Sequence, residues 1–129
     1  MPYWIDVDQS AGLLTVKAIG YNDVEARAAA IKEIDAHIQT HRLRYLLCDF
    51  RDQSENTSEA EYDRSITQMH DRAQTPEWKA AMASLERVAV VPSVKFPDTA
   101  RIAPFWQSLG FESKDFITID EARRWLFRG

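Results

Sequence analysis

The chain of 129 residues has one cysteine, four glycines and no excess of basic residues. A lone cysteine, Cys48, excludes an internal disulfide. Its place inside an apolar run reads as a small buried hydrophobe and not as a reactive thiolate, which needs exposure and positive surroundings. The glycines stand singly, so no phosphate-cradling loop can form, and no G-x-G-x-x-G, P-loop or G-x-S-x-G motif occurs. With 16 Lys and Arg against 20 Asp and Glu, the net charge of −4 argues against a nucleic-acid partner. No apolar run approaches the ~20 residues that span a bilayer, so no transmembrane segment is expected. Met1-Pro2-Tyr3-Trp4-Ile5-Asp6 has neither a basic start nor a long apolar core. It is therefore no secretory signal, and a cytoplasmic location is expected.

What is present is ordinary for a globular protein: 45% hydrophobic and 28% charged residues. At this length a single domain, 1–129, is expected, since no linker, repeat or low-complexity tract divides the chain. Tyr3–Val7 and Leu13–Ile19, joined across Gln9-Ser10-Ala11-Gly12, read as an antiparallel hairpin. Asn22 and Glu25 stand at capping-box spacing before a helix whose apolar face holds Val24, Ala28, Ile31, Ile34 and Ile38. Tyr45–Phe50 is nearly continuous and apolar, as a strand covered on both faces must be.

Ser58 and Glu61 repeat the capping-box spacing, and Thr75-Pro76-Glu77 marks a further helix start. Arg87–Val91 is the next strand. Pro92, Pro97 and Pro104 divide a long connection leading to a short helix through Phe105 and Trp106, with Gly110 as its C′ residue. Phe116–Ile119 reads as the last strand, and Asp120 as the cap of a closing helix carrying Ala122, Trp125 and Leu126. A hairpin followed by alternating strands and helices predicts an α/β fold with a mixed sheet.

This succession resembles the SpoIIAA-like family, most specifically at Asp49-Phe50 and at Asp120-Glu121-Ala122-Arg123-Arg124-Trp125-Leu126. The resemblance implies a STAS-like fold, also compared with CRAL-TRIO lipid-binding domains. In the anti-sigma-factor antagonists of that fold, a serine after the third strand is phosphorylated. The hydroxyls at this place are Ser54, Thr57 and Ser58, but Asp-Ser-Ser and its glycine are missing, so no phosphorylation is expected.

Six acids between Asp49 and Asp63 read as helix N-terminal charge on a solvated loop, with an acidic rim facing a partner or metal as the alternative. His37 and His41 are four apart on one helix, a spacing that can share a metal, but no third ligand accompanies them. No metal and no cofactor are expected. The candidate binding residues are the aromatics Trp78, Phe96, Phe105 and Trp106, which either form a flap over an apolar pocket or pack short helices onto the sheet. No catalytic residues are named, because no nucleophile–base pair has recognisable spacing. The sequence thus predicts a non-enzymatic regulatory or interaction domain that binds a protein partner or a small apolar ligand. The alternative is a carrier or sensor of a lipid-like molecule with segment 92–111 as a lid. Homo-oligomerisation is left open.

Overall fold

In the computed structural model, residues 3–20, 23–53 and 58–128 are described. Five strands form one mixed sheet in the order β1-β2-β3-β4-β5: β1 (Tyr3–Asp8), β2 (Leu13–Gly20), β3 (Tyr45–Gln53), β4 (Arg87–Val91) and β5 (Glu112–Asp115). The hairpin β1–β2 is antiparallel, and every later pairing is parallel. Gly12 closes the hairpin at φ 68°, the left-handed region that glycine enters without a Cβ penalty.

The helices are α1 (Val24–His41), α2 (Glu59–Ala73), α3 (Pro76–Ala81), α4 (Ile102–Ser108) and α5 (Ile119–Leu126). Because each parallel strand follows its neighbour in the chain, all three crossovers step in the same direction. Right-handed crossovers that step one way put their helices on one face. That face receives α1 to α4; α5 has the other.

Strand alternation divides the core accordingly. Leu14, Val16, Leu46, Cys48, Val88 and Val90 point to the crowded face, and Leu13, Tyr45, Leu47, Ala89 and Val91 point to α5. A bulge interrupts the β2–β3 register between Lys17 and Ile19, where three steps along β3, Asp49 to Asp52, oppose two along β2.

The caps show how the sequence sets these boundaries. The Ser58 oxygen accepts from the Glu61 N–H at 3.1 Å, and the Thr75 oxygen from the Trp78 N–H at 3.2 Å. At the start of α1 the capping oxygen belongs to Asp23, which accepts from the Ala26 N–H at 2.7 Å; Asn22 lies outside the described residues. Gly110, at φ 91°, ends α4: its N–H reaches the Gln107 carbonyl and the Phe111 N–H reaches the Trp106 carbonyl, the paired bonds of a Schellman cap.

The last strand differs from the expectation. Phe116–Ile119 is not β5; the polar run Glu112–Asp115 is. This edge strand has one neighbour, β4, so a single buried side chain, Ser113, suffices. The apolar run is used instead to enter α5: Phe116 packs at a tilt on Trp125, Thr118 caps the helix through the Glu121 N–H, and Ile119 begins it. Asp120 lies in the first turn and is not the cap.

Candidate functional site

The floor of the crowded face is the middle of the sheet. Five strands about 4.8 Å apart make a surface only about 20 Å wide, while a packed helix occupies about 10 Å. Two helices fill it: α1 lies over β1 and β2, and α4 over β4 and β5. The long helix α2 packs mainly on α1 and α3 and so rides above the first layer. Beneath it a cleft of about 110 Å³ remains.

Val16, Ala18, Leu46, Cys48, Phe50 and Gln53 make the floor of this cleft. One wall is Ala30, Ile31 and Ile34 of α1; the opposite wall is Ile102, Phe105 and Trp106 of α4, with Trp78 of α3 beside them. The roof is Tyr62, Met69 and Arg72 of α2. The lining residues that reach solvent are Arg27, Ile31 and Ile34 of α1, Met69 and Arg72 of α2, and Phe50 of β3, which places the mouth along the gap between α1 and α2.

The mouth is polar. Arg72 donates to Asp35 at 2.6 Å, tying α2 to α1. Arg27 donates from Nε to the Ser65 hydroxyl at 3.0 Å and lies over the Tyr62 ring, 5.1 Å from its centroid. Burial pushes the Asp35 carboxyl above its ordinary range, and the Arg72 guanidinium only partly opposes this. Burial raises the Tyr62 phenol in the same way, and it pushes the Cys48 thiol up to about 12, with the Asp49 charge adding to the effect. Cys48 therefore stays a protonated thiol at neutral pH, without nucleophilic character.

The four predicted aromatics are all buried, and they do not form an exposed patch. Trp78, Phe105 and Trp106 are brought together, with Trp78 and Trp106 centroids 5.8 Å apart and Phe105 and Trp106 5.5 Å apart, and these three line the cleft. Phe96 does not line it; its ring stands edge-on to Tyr62 at 5.1 Å, behind the roof. Ser58 is the N-cap of α2, while Ser54 and Thr57 lie outside the described residues. His37 and His41 stack at 5.9 Å, and among the described residues no group of three His, Cys, Asp or Glu side chains could hold a metal.

Sequence reasoning missed Asp35, Arg27 and Arg72. Their signal was available only as polar residues interrupting the apolar faces of α1 and α2. Asp49 was read as part of a solvated acidic loop, yet it is buried and grips Arg51 with two side-chain bonds of 2.9 Å.

No family model matches the chain, and no curated protein matches it. Among solved structures it is similar to an uncharacterized protein of the DUF3478 family with a SpoIIAA-like fold from Shewanella loihica PV-4. The similarity covers 96% of this chain and 91% of the other, with a TM-score of 0.59 and 16% identity. The chain therefore has a SpoIIAA-like fold: a mixed five-stranded sheet, hairpin first, with helices on both faces. Among the described residues, no helix is long and apolar enough to cross a membrane.

Proposed function

We propose that the chain is a non-enzymatic binding domain whose cleft under α2 takes a small apolar ligand. One observation carries the reading: a cleft with a mainly apolar floor and walls lies under α2, where close packing is the rule. The volume decides the ligand's size. A closed dry cavity of about 150 Å³ accommodates benzene; at about 110 Å³ this cleft is smaller but has a mouth, so it suits one small ring or a short alkyl chain that leaves an end at the opening. A full lipid tail fits only if α2 lifts.

The lid on this reading is α2 and not segment 92–111. That segment supplies an inner wall and is fastened from within. The Ser93 N–H donates to the Thr99 hydroxyl at 2.8 Å, the Ser93 hydroxyl donates to the Gln53 carbonyl, and the Lys95 and Phe96 N–H groups donate to Ser93. α2 buries only Tyr62, Ser65 and Ala73, and at its edges it is tied down by the Arg72–Asp35 and Arg101–Asp63 pairs, a set of contacts small enough to open and close.

Toluene is a suitable probe. At tenfold excess over its dissociation constant it should stabilise the protein by about 1.4 kcal/mol, raising Tm by roughly 3–6 °C. Ala30→Leu, which places a branched side chain in the space, should remain folded and lose the shift. An unchanged Tm for the native chain, or equal shifts in both proteins, would refute the cleft as a ligand site.

A further inference from the structure

A second site lies at the opposite end of the sheet from the hairpin turn, outside the carboxyl ends of β4 and β5. The chain leaves β4 through Pro92, Ser93 and Val94, and leaves β5 through Phe116 and Ile117. The two exits line one open depression of about 420 Å³, completed by Asp115 and by Glu121 of α5. Open parallel sheets bind ligands in such crevices.

Two features set this depression apart from ordinary surface. Val94 is 95% exposed and Ile117 85% exposed, and both rim the same depression. Single exposed aliphatics are common, but two on the rim of one depression make a patch that no described residue covers. The charge there is of one sign. Asp115 and Glu121 are the two ionisable residues of the lining. Among the described residues, the Glu121 carboxylate accepts from the Thr118 hydroxyl, at 3.3 Å, and from no cation. Partial burial raises the Asp115 carboxyl above its ordinary range, and among the described residues it has no ion-pair partner. Each would gain from an arriving positive charge.

We propose that this depression docks a protein segment presenting a lysine or arginine beside an apolar side chain. The aliphatic rim of Val94 and Ile117 takes the apolar group, and Asp115 and Glu121 take the cation. The fit follows from charge complementarity together with the exposed aliphatics, and it does not depend on the cleft under α2. A free metal or small cation would use the carboxylates but leave the aliphatics uncovered; a lipid chain would do the reverse.

The test is selection of a random dodecapeptide library displayed on phage against the immobilised full chain, followed by titration of enriched synthetic peptides. Enriched sequences should share a basic residue flanked by apolar ones. Their affinity should fall at least tenfold for Val94→Ser/Ile117→Ser and for Asp115→Asn/Glu121→Gln, all surface changes that leave circular dichroism and Tm close to native. Amide resonances of Val94, Ile117 and Glu121 should shift on titration. Absence of enrichment, enriched peptides without a basic residue, or affinities unaffected by either double variant would overturn the proposal. Ala30→Leu, which blocks the other cleft, should bind these peptides as the native chain does. A loss in that variant also counts against an independent site.

Discussion

Leu47 and Cys48 are neighbours in the chain but belong to opposite cores, because successive strand residues point to opposite faces of the sheet. Leu47 meets Ala89, Val91 and the α5 residues Ala122 and Leu126, all buried. Leu47 is 1% exposed and lines neither of the two clefts described above, so Leu47→Ala should cost about 2–5 kcal/mol, read from urea unfolding. A loss below roughly 1 kcal/mol would mean the α5 side is loosely packed. At this scale the sequence was legible wherever burial is two-sided: Tyr45–Phe50 and Arg87–Val91 announce themselves by being apolar without alternation. It was not legible at Asp49, whose burial depends on a guanidinium two residues on, nor at Asp35, whose partner Arg72 lies 37 positions away. Charged residues look solvated in a sequence until the partner's position is known.

Among the elements, β5 and α2 teach opposite lessons. The local preference of Phe116–Ile119 for strand is overridden because the β4 edge is taken by the preceding four residues, leaving the apolar run to seat α5. For α2 the sequence does indicate the helix, through the Ser58 cap and the Tyr62, Ile66, Met69 and Ala73 spacing. Its height above the sheet is set by what already occupies the sheet. Of its 15 residues only Tyr62, Ser65 and Ala73 are buried, and its outer fastenings are Arg72 to the buried Asp35 at 2.6 Å and Arg101 to Asp63 at 2.5 Å, the second on two partly exposed side chains where an ion pair contributes little. Amides in 59–73 should therefore exchange hydrogen well before those in 45–53, and saturating toluene should slow them selectively. Protection of α2 equal to that of β3, with or without toluene, would remove it as the lid.

For the molecule as a whole, crowding four helices onto one face of a narrow sheet makes the cleft, and that is a property no short motif encodes. The lining runs from Tyr3 to Trp106, so the site was visible in the sequence only as an excess of aromatics near residues 96–111. The two buried aspartates, Asp35 on the helical side and Asp49 on the side of α5, then give the fold a pH response with opposing signs. Asp49 is pushed up by burial, but the Arg51 side chain and N–H, with Lys17 adding, more than offset this and hold it below its ordinary value. Its contribution to stability is complete above the unfolded carboxylate value of about 3.9 and is lost as pH falls through its lower folded value. Asp35 is raised by burial despite Arg72, so the folded state holds that proton more tightly than the unfolded chain does. Its stabilising effect is present below about 3.9 and disappears as pH rises through its higher folded value. In urea melts between about pH 3 and pH 7, Asp49→Asn should flatten the acid limb of the stability curve. Asp35→Asn should steepen it, because a carboxyl that gains from acid is gone. If both variants change the acid limb in the same direction, the two carboxyls do not have the opposite environments that the fold assigns them.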